Sequence, residues 1–169
     1  VQAERLYDTA IEHAGIDSGQ SVIDAYCGTG TIGLIAAGRA TSVMGVESNA
    51  DAVACARTNA KMNHRQNAQF TIADAGTFMR EMAASGKTVD TVLMDPPRSG
   101  SDERFLASLE TLAPACISYI SCNPPTQRRD VDHLLDHGYR LASLQPVDMF
   151  PFTNHVECVA LLSRKARKG

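Results

Sequence analysis

Short apolar runs with strand-like alternation recur along the chain, each separated from the next by a stretch with helical spacing of its apolar residues. From Ser21 onward, "SVIDAY", "SVMGVES", "AQFTIAD", "VDTVLMD" and "ACISYISC" read as five strands. Between and after them, "TIGLIAAGR" and residues 49–62, 77–84, 102–112 and 126–137 read as helices. "YRLASLQPVDMF" and "HVECVALLS" follow as a closing antiparallel pair, apolar enough to predict that both are buried. The opening "VQAERLYDTAIEHAG" reads as a helix entered in mid-stride, as expected of a piece of a longer protein. Strands alternating with helices predict one Rossmann-like α/β domain over residues 1–169, a mostly parallel seven-stranded sheet with helices on both faces. No internal repeat, low-complexity segment or second domain interrupts that pattern.

In open sheets of this kind, ligands bind outside the carboxyl ends of the strands. The predicted strand ends here carry Asp24 to Gly30, Glu47, Asp74, Asp95 and Cys122 in turn. An antiparallel last strand entering near Glu157 would begin at the same edge. That convergence predicts a site.

Composition narrows what the site can be. The net charge of −3 does not mark a nucleic-acid-binding surface, since phosphate neutralisation needs clustered Lys and Arg. The basic tail "SRKARKG" reads as a solvated end. No apolar run reaches membrane-spanning length. Five cysteines form no paired spacing of zinc or redox type, so no metal is expected. Their odd number, with no export leader, predicts reduced thiols and a cytoplasmic location.

The strand ends supply the chemistry. In "DAYCGTGTIG", Gly28 and Gly30 allow a tight turn and close approach of a ligand to the backbone. Glu47 lies 23 residues beyond Asp24, near the spacing at which a carboxylate grips ribose hydroxyls. A nucleoside cofactor such as S-adenosyl-L-methionine is expected at this turn in preference to a dinucleotide. Asp74 is placed equally well to accept from an adenine amino group or to cap the next helix. "MDPPRSG" leaves its strand with Asp95 and a stiff two-proline loop, and Arg98 stands where amine methyltransferases place a stacking aromatic. Cys27, Cys55, Cys116 and Cys158 are expected to be buried structural thiols. Cys122 differs, because a helix starts just after it in "NPPTQRRD" and a helix N-terminus favours a thiolate. Arg128 and Arg129 would add positive charge nearby.

Taken together, "DAYCGTGTIG", "DPPRSG", "SCNPPTQRRD" and "DMFPFTNHVECVALL" resemble, in order and spacing, the motifs of the RNA uracil-5-methyltransferase family, across nearly the whole chain. The resemblance implies the catalytic domain of a class I S-adenosylmethionine-dependent methyltransferase. It implies Cys122 as the nucleophile that adds to carbon 6 of uracil, and Glu157 as the base that removes the carbon 5 proton. It places Tyr26, Glu47, Asp74 and Asp95 in the cofactor and base pockets, with Asp95 also serving the uracil edge. Thr31 matches a position that contacts cofactor in some members. The implied partner is ribosomal or transfer RNA.

Pro125 stands where members often carry alanine, which stiffens the helix start. Members also carry an upstream aromatic-Gln-x-Asn segment and an RNA-binding barrel domain, which these 169 residues do not include. The chain alone is therefore expected to bind cofactor weakly and methylate RNA poorly. Two other readings stay open on sequence: an amine methyltransferase built on the Asp95 turn, and a cofactor-binding scaffold without turnover.

Overall fold

The structure is a computed structural model that describes residues 2–149, 152–153 and 155–165. The expected alternation is present from end to end. The order is α1 (Gln2–Ala14), β1 (Ser21–Ala25), α2 (Thr31–Ala36), β2 (Ser42–Glu47), α3 (Ala50–Met62), β3 (Ala68–Ile72) and α4 (Ala75–Ala84). It continues with β4 (Thr91–Met94), α5 (Glu103–Leu112), β5 (Cys116–Ser121), α6 (Pro124–Asp136), β6 (Tyr139–Val147) and β7 (Glu157–Arg164). The seven strands form one sheet in the order β3-β2-β1-β4-β5-β7-β6. All pairings among β1 to β5 are parallel, and β7 runs antiparallel to both of its neighbours.

Alternation along each strand sends its residues to two different layers. Ile23, Val92, Met94, Ile117 and Tyr119 pack against Met79, Phe105, Leu109 and Leu134 of α4, α5 and α6. Val22, Val43, Leu93, Ile120 and Val159 pack against Leu6, Ala10 and Ile11 of α1 and Ile32 and Ala36 of α2. A smaller cluster seats Val53, Ala56 and Ala60 of α3 on Phe70, with Cys27 and Leu34. The residues of these strands are therefore hydrophobic on both faces, as a two-sided parallel sheet requires.

Several details depart from the expectations. Helix α4 starts two residues early because the Asp74 side chain accepts from Thr77 N–H at 2.8 Å and caps it. Helix α6 begins at Pro124 rather than 126, its two prolines occupying the first turn, where a missing N–H costs nothing. The final pair is not buried throughout. β7 buries Cys158 to Ala160 and Leu162, but β6 is the sheet's outer edge, where Leu141 and Leu144 are 40% and 55% exposed. Cys55 is also exposed, contrary to its expected burial, while Cys27 and Cys158 are buried.

Candidate active site

Glu47, at the end of β2, is held from three sides. Its carboxylate accepts from the N–H groups of Asn49 (2.8 Å) and Gly28 (3.2 Å) and from the Ser48 hydroxyl (3.1 Å). Burial works against its charge, but the bonds from Asn49, Ser48 and Gly28 outweigh burial and hold it below the usual glutamate range. It is an ionised acceptor at the mouth of the glycine turn. In that turn Gly28 has a φ of 53° with open space where a Cβ would stand, so a ligand can approach its backbone. Gly30 has a different constraint: its φ is 84°, and a Cβ would meet the Phe70 ring at 2.8 Å. It serves packing behind the turn. Tyr26 adopts a left-handed φ of 63°, a strained conformation for an aromatic residue.

Asp24 lies inside the fold and not at the open edge. It is 1% exposed and accepts from Gly33 N–H at 2.8 Å, tying β1 to α2. Burial, with smaller contributions from Asp95 and Glu47, pushes its carboxyl up to about 7. Asp74, the cap of α4, stays exposed at the edge beyond β3. Tyr26 turns its ring to the opposite layer, 5.3 Å from Phe105, with its hydroxyl 3.5 Å from Ser101 Oγ. Thr31 opens instead on a groove between α2 and α3 lined by Leu34, Asn59 and Asn63.

At the other half of the edge, three groups share a face. Leu93, Ile120 and Val159 point into the α1–α2 layer, and two residues further along each strand toward the edge come Asp95, Cys122 and Glu157. The β5–β7 register pairs Ser121 with Cys158. Extended by one residue, it sets Cys122 opposite Glu157. All three groups are half-buried. Burial and then the like charge of Glu157 push Asp95 up to about 6. Burial also raises Glu157, while the Arg98 guanidinium pulls it back. The structure thus brings Cys122, Glu157 and Asp95 together, and Arg98, noted only for replacing an aromatic, joins them as a charge partner.

Residues 3–165 match the model of the tRNA (uracil-5-)-methyltransferase family. The chain belongs to that family. It is 44% identical over 163 residues to an uncharacterized RNA methyltransferase of Bacillus cereus, covering 96% of this chain and 35% of that protein. A Staphylococcus aureus relative with the same description is 47% identical over 164 residues, with coverages of 97% and 36%. Among solved structures, the tRNA (uracil-54, C5)-methyltransferase of Pyrococcus abyssi, in complex with S-adenosyl-L-homocysteine, aligns with a TM-score of 0.79. It is 37% identical, covering 94% of this chain and 38% of its own. A precorrin-6y C5,15-methyltransferase of Geobacter metallireducens reaches a TM-score of 0.77 at 14% identity, covering 95% of this chain and 88% of its own. That likeness is one of fold alone, and it agrees with the expected Rossmann-like methyltransferase architecture. The chain spans about 35% of the length of the curated relatives it matches.

Several residues that hold this edge together carried no signal of their own in the sequence. The buried Gln127 amide donates to the Tyr119 carbonyl at 2.9 Å and the Cys158 carbonyl at 3.0 Å, bridging the strands that carry Cys122 and Glu157. Asp130, fully buried, accepts from Ser101 N–H and the Tyr119 hydroxyl, both at 2.8 Å. Asn123 and Thr126 donate to the Arg98 carbonyl, at 2.8 and 3.1 Å. The Asp95 loop and the Cys122 loop are therefore laced together. "NPPTQRRD" held the signal only as a run, since polar residues at positions facing a sheet must find partners there. The structure gives the two arginines their direction. Arg128 pairs with Asp132 at 2.9 Å, and Arg129 with Asp130 at 2.6 Å and the carbonyls of Ser99 and Ser101.

Tyr7 is the other addition. Helix α1 leads into the start of β1, so its first turns lie where the strands finish. Tyr7 packs against the α1–α2 layer there, and burial, Asp95, Glu157 and Asp24, in that order, raise its phenol. Phe150, Pro151 and Asn154 of the "DMFPFTNHVE" motif lie outside the described residues.

Proposed function

We propose that this chain is the catalytic domain of an enzyme that methylates carbon 5 of a uridine in ribosomal or transfer RNA. The observation that carries the reading is the β5–β7 register, which sets a thiol opposite a carboxylate with Asp95 on the neighbouring strand. S-adenosyl-L-methionine supplies an electrophilic methyl on its sulfonium. The glycine turn suits that cofactor, since Glu47 offers an ionised acceptor for ribose hydroxyls beside the open Gly28 backbone.

Carbon 5 of uracil is a weak nucleophile, and covalent catalysis divides the difficulty. Cys122 Sγ adds to carbon 6, and the displaced electron pair moves onto the ring carbonyl as an enolate. The enolate pair then returns through carbon 5 to the methyl carbon as the methyl–sulfonium bond breaks, which would leave S-adenosylhomocysteine as a neutral thioether. Glu157 removes the carbon 5 proton, and the electrons of that C–H bond restore the ring double bond as the sulfur–carbon 6 bond breaks. Thiolate and 5-methyluracil result. The raised Glu157 carboxyl is a stronger base than an ordinary glutamate. Asp95, pushed up to about 6, hydrogen-bonds the uracil edge. The target base must leave its stack to reach such a site.

With a net charge of −3, the chain relies on the rest of the protein to grip RNA. The full-length Glu157→Gln enzyme tests this reading. It should accumulate methylated RNA bound covalently to protein and release little 5-methyluridine. Normal release by that variant would overturn the role of Glu157.

A further inference from the structure

We propose that Glu110, His133 and His137 form a binding site for a divalent transition-metal ion of the zinc class, bridging the far ends of α5 and α6. His133 and His137 lie one turn apart at the end of α6. Their rings stack with centroids 4.3 Å apart and planes 26° from parallel, so their nitrogens are presented side by side. Glu110, in the last turn of α5, reaches across to both. Its Oε1 is 2.7 Å from His133 Nε2 and 3.7 Å from His137 Nδ1. One ligand atom from each residue lies within 4.8 Å of the other two.

Those separations suit a shared ion. Tetrahedral zinc with bonds of roughly 2.0–2.2 Å sets its ligand atoms about 3.4 Å apart. The two Glu110 distances bracket that edge, and the third separation lies within 4.8 Å, so coordination needs shifts on the order of 1 Å. Two imidazoles and one carboxylate suit zinc, nickel, cobalt or copper, and not the all-oxygen preference of magnesium or calcium. The end of α6 adds the negative pole of its dipole. His137 Nδ1 also bonds the His133 carbonyl at 2.7 Å, and coordination through that nitrogen gives up this bond. Micromolar affinity, not tighter, is the consequence. His137 is 44% exposed, which leaves room for water as a further ligand.

The site stands at the opposite end of the two helices from the catalytic loops. Helix α5 leaves the Asp95 loop and α6 leaves the Cys122 loop, so an ion here would fix the pair that carries both. The cysteine spacings gave no hint of it, because its ligands come from two helices and include no thiol.

The test titrates zinc into the full-length protein against a chromophoric chelator and repeats it with cobalt, whose visible spectrum reports ligand type. Expected are saturable micromolar binding, a cobalt spectrum without a thiolate charge-transfer band, and a zinc-dependent rise in Tm. His137→Ala, an exposed position where folding is not at stake, and Glu110→Gln should each weaken the site at least about tenfold and abolish that rise. Unchanged affinity in both variants, a thiolate band, or no saturation in the micromolar range would overturn the proposal.

Discussion

Replacing Asp130 by alanine should loosen the lacing between the Asp95 and Cys122 loops and destabilise the whole domain. The carboxylate is fully buried and serves three donors: Ser101 N–H, the Tyr119 hydroxyl and the Arg129 guanidinium. Loss of a charged acceptor costs about 1.5–3 kcal/mol for each buried donor stranded, here the first two. Arg129 is 57% exposed and regains water, so it adds little. A total of about 3–6 kcal/mol follows, overlapping the roughly 3–5 kcal/mol for breaking a buried charged contact. In a domain of this size that lowers Tm by roughly 10 °C. Tyr119→Phe removes one donor and leaves the carboxylate its other partners, so about 1 kcal/mol is expected. Thermal unfolding followed by circular dichroism reads both. A loss below about 2 °C for Asp130→Ala would refute the claim that this carboxylate joins the loops.

Other consequences are as direct. The Asp24 carboxyl, raised to about 7 in the folded chain, binds a proton there that the unfolded chain gives up near its usual value of about 3.9. Its contribution to stability is complete below pH ~4 and declines as pH rises toward 7, by up to about 1.4 kcal/mol per pH unit. Asp24→Asn should therefore gain on the wild type between pH 5 and pH 8 in urea unfolding, and a constant difference would contradict that. Arg98→Gln removes the positive charge that lowers Glu157, so the acidic limb of the kcat/KM profile should move to higher pH; a shift the other way would remove Arg98 from the site. Glu47→Gln should weaken S-adenosylmethionine binding roughly 10- to 100-fold by calorimetry, as loss of charged hydrogen bonds implies. An affinity within twofold of wild type would place the ribose elsewhere.

How far the sequence disclosed this structure depended on whether a feature was local. The run "VDTVLMD" showed both its strand and the carboxylate at its end, because alternation and a following Pro-Pro break are local signals. Asp74 was ambiguous for the same reason: a cap and a ligand-binding acid occupy the same position, and the structure shows the cap bond. The exposure of β6 was hidden, since its apolar content says nothing about which strand ends up at the sheet's edge. Gln127 and Tyr7 were invisible as site residues because their partners lie on other elements. The direction of the arginines after Cys122 was not legible, because charge in sequence does not give direction, and Asp130 and Asp132 pair with them.

The central claim is that Cys122 is the nucleophile. Full-length enzyme incubated with S-adenosylmethionine and RNA containing 5-fluorouridine should form a stable protein–RNA adduct, because fluorine cannot leave carbon 5 as a proton does. Resolved by denaturing gel and mass spectrometry, the adduct should map to Cys122 and vanish in Cys122→Ala, which should still bind cofactor. An adduct that persists in Cys122→Ala would contradict the assignment.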